Sequence, residues 1–538
     1  MVWDENRDCK PQDIAESRVQ LFQPVSTISF TDGREYEFEM GEMVKRDRNH
    51  PSIVVWSYCN EFECEQLNHA EQTAFGFRKA TLALDTSRPL SANNNGADTQ
   101  FGVDVQGFSH KSNASCESFH HDHPQVPVVL SECCSCVTQR VAAPGNTYDS
   151  ATGADRRISP CEPEQNSPGL LPYVSGSLGV WTLFDYFGEP NGRGGWPKVS
   201  CSFGQLDIAG FPKPHAWWYI INWASLPTSQ TLDPQPGQGV NGVPLLAKKP
   251  VARILDLLDF PLSPSSPDGF DRGGAVEISA VVSTASAELL LDGKSLGVRA
   301  AAPLSQTSTD SGSVTWRLNS TAAAAAAKAG ATMTLKALDG GSVVAEHTIR
   351  KPGAPAAVRL QVDVPSAATG TGSKLLLDGR DTALIRAEIV DAKGVLCTTD
   401  TSRLSFRVLE GPGRVRGTSN GDSTSHEKMG SSSIAAFGGL ARVLVQVNAD
   451  CTPGAELAAT IDADGGVTTA VPNATHCSTL AAAPIVVGVT MSGGGAEAVF
   501  TSQVEVPVST AAEDSAMNVA RASAQQPLDF SYLRDFQG

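Results

Sequence analysis

The run Ile53-Val54-Val55-Trp56 constrains this chain more than any other feature of it. Four apolar residues in succession leave no polar face, so a strand built from them has to be covered on both sides. The flanks can supply that cover. Upstream, Tyr36, Met40, Met43 and Val44 recur at i, i+4, i+7 and i+8, the spacing of an amphipathic helix, which Pro51 then stops. Downstream, a second helical stretch is expected from about Cys64 to Ala83, with Ala70, Ala74 and Phe77 on one face. Further short strands are expected at Pro89–Ala92, Val103–Gly107, Val126–Ser131 and Gly179–Phe184. Strand and helix in alternation give a parallel α/β fold.

Near residue 229 the pattern changes. Seven of the eight tryptophans lie before it. A Pro- and Gly-rich linker, Gln230–Val243, follows, and beyond it apolar residues alternate with polar ones. Val276, Ile278 and Ala280 do so, as do Ile385, Ala387 and Ile389, then Leu404, Phe406 and Val408, then Val443, Val445 and Val447. Leu289-Leu290-Leu291 runs into Asp292-Gly293, a hairpin signal. These are the marks of two immunoglobulin-like β-sandwiches, joined near Pro352-Gly353. The run Ala322–Ala327 is expected in a sandwich loop or a short helix. A tail rich in Ala, Ser and Gly, 466–538, is expected to hold at most a few strands and to be partly disordered.

A formal net charge of -17 and a pI near 5.0 argue against nucleic acid or an anionic membrane as partner. No apolar run is long enough to span a bilayer. Met1-Val2-Trp3-Asp4-Glu5 reads as the end of a buried strand rather than a signal peptide, so sequence upstream of it is expected. Twelve cysteines over this length are too sparse for a disulfide-built scaffold. Sequons at Asn113, Asn319 and Asn473 lean slightly toward export.

Two carboxylates stand where a buried strand ends. Glu61 follows Ser52–Asn60, and Glu132 follows Val126–Ser131. In a (β/α) barrel the C-terminal ends of the strands open into the active site. A pair of carboxyl groups about 5–5.5 Å apart there can cleave a glycosidic bond with retention, one as proton donor and the other as nucleophile. On pattern alone, a strand-end anchor paired with an arginine is an equal reading for each.

The surrounding residues shift that balance. Lys45-Arg46-Asp47-Arg48-Asn49-His50-Pro51, continuing through Ser52 to Glu61, closely resembles the acid/base signature of glycoside hydrolase family 2, the family of β-galactosidases, β-glucuronidases and β-mannosidases. The resemblance implies that Glu61 is the general acid/base and that Asn60 contacts the sugar 2-hydroxyl. Val129-Leu130-Ser131-Glu132 resembles the nucleophile strand, which makes Glu132 the nucleophile. Gly176–Pro190 looks like the last barrel strand, with Trp181 as an aromatic wall of the sugar site, and Phe203–Lys213 continues the likeness. Val2-Trp3-Asp4-Glu5-Asn6 resembles the third barrel strand, and Leu289–Gly297 and Gly417–Glu427 resemble the accessory sandwiches.

The layout this implies is a partial (β/α)8 TIM barrel with strands three to eight over 1–228, then two immunoglobulin-like sandwiches over 229–354 and 355–465. The implied function is retaining hydrolysis of terminal β-linked sugars, a β-galactoside first and a β-glucuronide as alternative. No cofactor is required. Asp4 and Glu5 could help hold a divalent cation near the site, although a strand-end hydrogen-bond anchor is the simpler role for them. An oligomer is compatible with the sequence.

The sequence departs from the family pattern in three places. The domains and two barrel strands expected ahead of Val2 are not in it. The tyrosine common on the sixth strand is absent from Asp104–His110, where His110 is the candidate replacement. Cys133-Cys134-Ser135-Cys136 replaces the usual Glu-Tyr-Gly-like sequence. With His120, His121 and His123 nearby, these cysteines raise the idea of a metal site, but the spacing is not that of zinc, and barrel or loop packing is preferred. Trp217, Trp218 and Trp223 are expected to pack a helix on the barrel rather than form a sugar platform. Two non-enzymatic readings stand beside the glycosidase. One is a truncated carbohydrate-binding or interaction protein, because missing barrel strands leave sheet edges unpaired. The weaker one is a cell-surface adhesion protein built from the sandwiches.

Overall fold

The computed structural model describes residues 2–5, 34–60, 70–94, 103–109, 113–132, 140, 174–177, 181–188, 198–214, 216–217, 220–221, 250–255, 276–303, 312–365, 374–376, 379–448, 460–461, 467–468, 484–492 and 500–509. The chain divides into two compact units: Met1–Cys136 with Pro160–Leu183 and Gln306–Thr309, and the remainder.

The first unit is built on six parallel strands that pair in chain order: β1 (Val2–Glu5), β2 (Ile53–Asn60), β3 (Leu90–Asn94), β4 (Gln106–Ser109), β5 (Val128–Glu132) and β6 (Val174–Ser177). Between them run α1 (Arg34–Asp47), α2 (Ala70–Leu82) and α3 (Asn113–Asp122). This is the sheet of a partial (β/α)8 barrel. Its helix-facing side is apolar. Trp56, Tyr58, Leu90 and Ala92 pack with Met40, Met43 and Val44 of α1 and Phe77 of α2, where Tyr58 stacks on Phe77 at 5.1 Å. Phe108, Val128 and Leu130 pack with Cys116 and Phe119 of α3. By the two-residue alternation of strands, the opposite side carries Ser57, Ser91, Asn93, Gly107 and Ser131, all small or polar.

A polar clamp fixes the entry to β3. Trp56 Nε1 donates to Asp85 Oδ2 at 3.0 Å, Ser87 donates to Oδ1 from its backbone and its hydroxyl, and Arg88 pairs with Oδ2. Arg88 also donates to the carbonyls of Ile53 and Arg48. Burial pushes the Asp85 carboxyl up, and the hydrogen bonds from Ser87, Trp56 and Arg88 outweigh it, holding the group well below the usual carboxylate range.

The last strand differs from expectation. The pairing edge of β5 is taken by Val174–Ser177, with Val128 opposite Val174 and Leu130 opposite Ser177. The more apolar stretch expected as a strand, Gly179–Phe184, forms no ladder within its described part, and Trp181, Leu183 and Phe184 are exposed. In the second unit, single bridges pair Phe184 with Leu206 and Phe187 with Ser200.

In the second unit, β7 (Ala252–Ile254), β8 (Val276–Val282), β9 (Ser286–Leu291), β10 (Lys294–Ala300), β11 (Ser313–Leu318), β12 (Thr332–Asp339) and β13 (Ser342–Arg350) form sheets ordered β10-β9-β12-β13 and β11-β8-β7. They enclose Ile278, Leu289, Trp316 and Leu335. Asp292 and Gly293 turn from β9 to β10 with φ of 48° and 76°, a conformation glycine adopts at no steric cost. The alanine run forms α4 (Ser320–Ala326), where Asn319 Oδ1 caps Ala322 N at 2.9 Å.

The second sandwich comprises β14 (Pro355–Val364), β15 (Leu375–Leu376), β16 (Thr382–Asp391), β17 (Arg403–Glu410), β18 (Gly413–Ser419), β19 (Ser433–Ala435) and β20 (Leu440–Val447). A short pair, β21 (Thr460–Ile461) and β22 (Val467–Thr468), precedes β23 (Ile485–Ser492), β24 (Phe500–Val506) and β25 (Val508–Ser509). One large sheet is β14-β16-β20-β18; the other, β19-β17-β23-β24, takes two strands from beyond residue 465. The boundary expected at 465 is therefore corrected. Ile485, Val487, Val489 and Met491 face the core with Phe406 and Val443, and the sheet would lose half its strands without them.

Residues 198–214 fold back on Asp185. Lys213 Nζ donates to Asp185 Oδ1 at 2.6 Å and to Ser202 O at 3.0 Å, and Gly204 N donates to Asp185 Oδ1 at 2.8 Å, all buried. Asp207 caps Ala209 N and Phe211 N at 2.9 Å and receives Arg140 Nε at 2.9 Å. Arg140 also donates to Asn420 O and Phe437 O, and lies over the rings of Phe211 and Phe437. Trp217 packs among Ile221, Val251, Leu255 and Val281, with Arg253 over its ring at 4.3 Å. Trp196, Trp218 and Trp223 lie outside the described residues.

Candidate active site

The polar side of the first-unit sheet gathers at the C-terminal ends of its strands. Asn93, near the end of β3, donates from Nδ2 to Asn60 Oδ1 at the end of β2 and, at 3.2 Å, to Glu132 Oε2 at the end of β5. Its own Oδ1 accepts from Ser131 Oγ at 2.5 Å. These contacts settle the amide orientation. A flipped Asn93 would set its oxygen against the Asn60 oxygen and the Glu132 carboxylate.

Strict alternation does not put either end residue there. Counting from Ser57, Asn60 belongs on the helix side; counting from Ser131, so does Glu132. Each is re-aimed by a register shift. The β2–β3 ladder shifts between Ser57 and Asn60, and the β4–β5 ladder passes from Phe108 opposite Leu130 to Ser109 opposite Glu132. Bulges of this kind turn a side chain at the rim of a sheet.

The reach from β3 to β5 also depends on what lies between. β4 separates the two strands, and the residue it presents there is Gly107, opposite Asn93 on one side and Val129 on the other. A Cβ at 107 would lie 2.3 Å from Ala92 O, 2.8 Å from a Trp3 ring carbon and 3.0 Å from Ser131 Oγ. Gly107→Ala is therefore expected to cost about 1–3 kcal/mol of stability in the first unit. It should also pull Ser131 from Asn93. Urea denaturation of the purified variant checks the first effect, and a wild-type midpoint would contradict it.

Of the acidic pair on β1, Glu5 faces this polar side. Its Oε2 accepts from Trp3 Nε1 at 3.0 Å and from Ser57 Oγ at 2.7 Å. Asp4 faces the other way, toward the C-terminal end of α1. Burial raises its carboxyl above the usual range, and the Asp47 carboxylate beside it raises it further, against Arg46 and His50. With Asp47 beside it, Asp4 is not placed on the polar side where a sugar would be read.

The structure thus brings Asn60 and Glu132 together and directs Asp4 elsewhere. Trp181 lies on the segment after β6 with over a third of its surface exposed. Glu61, His110 and the cysteines 133, 134 and 136 lie outside the described residues. His120 and His121 sit in the last turn of α3, and the His123 ring packs on Phe119 at 4.8 Å. Among the described residues no group of three or more His, Cys, Asp or Glu is placed to hold a metal ion. Sequence reasoning missed Asn93 and Gly107. The available signal was the amide run Asn93-Asn94-Asn95 just past an apolar strand.

Residues 32–137 match the family described as "Glycosyl hydrolases family 2, TIM barrel domain", and residues 367–466 match "Glycoside hydrolase family 2 C-terminal domain 5". These two matches support this chain as a member of glycoside hydrolase family 2. Among family 2 relatives, it is 26% identical over 486 residues to "Beta-galactosidase BoGH2A" of Bacteroides ovatus, an alignment covering 79% of this chain and 50% of that protein. It is 33% identical over 118 residues to "Beta-glucuronidase" of Canis lupus familiaris, covering 21% of this chain and 16% of that one. The chain thus spans about half the length of the Bacteroides ovatus relative. A family 2 crystal structure from Bacteroides cellulosilyticus shares the fold, with a TM-score of 0.56 at 18% identity, covering 88% of this chain and 51% of that one.

Proposed function

We infer that this chain carries the catalytic carboxylates of a retaining β-glycosidase, acting on terminal β-linked sugars and on β-galactosides first. The observation that carries this reading is the meeting of Asn60 and Glu132 through Asn93. It joins the residue next to Glu61 to the end of β5, where two carboxyl groups serving one glycosidic carbon have to converge.

In this reading Glu132 attacks the anomeric carbon while Glu61 protonates the departing oxygen, so the glycosidic bond breaks as a glycosyl ester forms. Glu61, now ionised, takes a proton from water. The water oxygen bonds to the anomeric carbon and Glu132 leaves as carboxylate. With its Oδ1 engaged by Asn93, Asn60 turns its Nδ2 hydrogens to the sugar 2-hydroxyl, a contact that strengthens in the transition state. Trp181 provides an apolar wall for the ring. The relation to a named β-galactosidase over most of this chain favours galactosides; the shorter match to a β-glucuronidase keeps glucuronides as the second substrate class.

The test is turnover of 4-nitrophenyl β-galactoside and 4-nitrophenyl β-glucuronide by the purified chain, with the first-formed sugar followed by NMR. The expected product is the β-anomer, with the galactoside turned over faster. An α-anomer as first product, or no turnover of either substrate, overturns the reading.

A further inference from the structure

We propose that Asn93 is a positioning residue for this site, an amide strap that sets Glu132 and Asn60 relative to each other from a strand adjacent to only one of them. The inference rests on the glycosidase reading above. Asn93 is buried, and both polar atoms of its side chain are engaged. Nδ2 serves Asn60 Oδ1 and Glu132 Oε2, and Oδ1 takes the Ser131 hydroxyl. A buried amide with this pattern has one orientation, so it fixes the rotation of the carboxylate it touches.

The strap has an electrostatic side. Asn93 Nδ2 offers a donor to the Glu132 carboxylate as it departs from the glycosyl ester. Glu5, held on β1 by Trp3 and Ser57, is the described carboxylate on the same side of the sheet. It is kept in place by donors that Asn93 does not share.

Two substitutions separate positioning from mere packing. Asn93→Ala removes the donor. Asn93→Asp keeps the shape but sets a second carboxylate against Glu132. The full chain and both variants are treated with a 2-deoxy-2-fluoro-β-galactosyl fluoride over a range of reagent concentrations. Fluoride leaves C1 as the ester to a carboxylate forms, and mass spectrometry of peptides locates the label. Labelling of Glu132 is expected to slow roughly 10–100-fold in Asn93→Ala, the loss of one charge-assisted hydrogen bond. The loss should fall on the labelling rate at saturating reagent rather than on the half-saturating concentration, and Asn93→Asp should be slower still, because it sets a carboxylate where the donor stood. Circular dichroism establishes that each variant is folded. A wild type labelled on Glu132, with folded variants of unchanged rate at saturating reagent, overturns the strap and leaves the glycosidase reading intact. A wild type that takes no label on Glu132 overturns both.

Discussion

Glu132→Gln is expected to lower turnover of an aryl β-galactoside by roughly 10⁴-fold or more, with the fold retained. The substitution is isosteric, and a glutamine oxygen still accepts from Asn93 Nδ2, so the end of β5 stays where it is. The amide cannot form and release a glycosyl ester, and that chemistry is worth about 5.5 kcal/mol or more at this fold-change. Melting temperature within a degree or two of wild type, measured beside the kinetics, separates lost chemistry from lost structure. Glu132→Ala with added azide gives a second check. The anion then attacks from solution, and the product is an α-configured glycosyl azide. Aryl galactoside turnover that survives Glu132→Gln would remove Glu132 from the mechanism.

The second large effect lies in the other unit. Lys213→Met is expected to destabilise that unit by roughly 3–5 kcal/mol at pH 8, because it leaves the Asp185 carboxylate buried with no cation. Burial already pushes Asp185 up to about 6 against the pull of Lys213, and the same burial draws the Lys213 ammonium down. The sign of the pH effect follows. Asp185 binds its proton more tightly folded than unfolded. Its contribution is therefore fully present below the ordinary value of 3.8 and is lost as pH rises through about 6. Without Lys213 the carboxyl rises further, so at pH 5 it is neutral in the folded variant and the penalty shrinks. Urea denaturation at pH 8 and pH 5 measures both numbers. A loss that does not change with pH would mean that the ammonium serves packing rather than charge. Asp185→Asn added to Lys213→Met should recover part of the loss at pH 8.

Much of this architecture can be read from local pattern. Met40, Met43 and Val44 declare α1 by spacing, and the apolar run from Ile53 declares β2, because burial on a helix-covered sheet demands them. The sandwich strands declare themselves by alternation. What pattern could not supply is whatever depends on pairing. Asn60 and Glu132 both break the two-residue alternation, and their inward turn comes from register shifts between strands far apart in sequence. Asp4 and Glu5 are neighbours of equal charge, and only pairing of β1 with β2 decides which meets Ser57. The edge of β5 went to the modest Val174–Ser177 rather than to the more apolar stretch after it, since an open edge is filled by the segment that reaches it in register. Asn93 carries no signal of its own beyond being an amide at a strand end. Its importance arises from the missing side chain of Gly107.

Arg140 has a kinetic consequence. It ties Asp207 to the carbonyls of Asn420 and Phe437, positions 280 and 297 residues further along the chain. The entropy of closing so long a loop grows only logarithmically with its length, so the clasp is thermodynamically cheap. A contact of that span nonetheless forms after the local hairpins and helix pairs have condensed. Arg140→Ala is therefore expected to speed the opening of the second unit more than it slows its formation, which stopped-flow unfolding and refolding rates check. Where one unit is assembled from stretches so distant in sequence, a clasp of this kind bears on how long the fold lasts once it has formed.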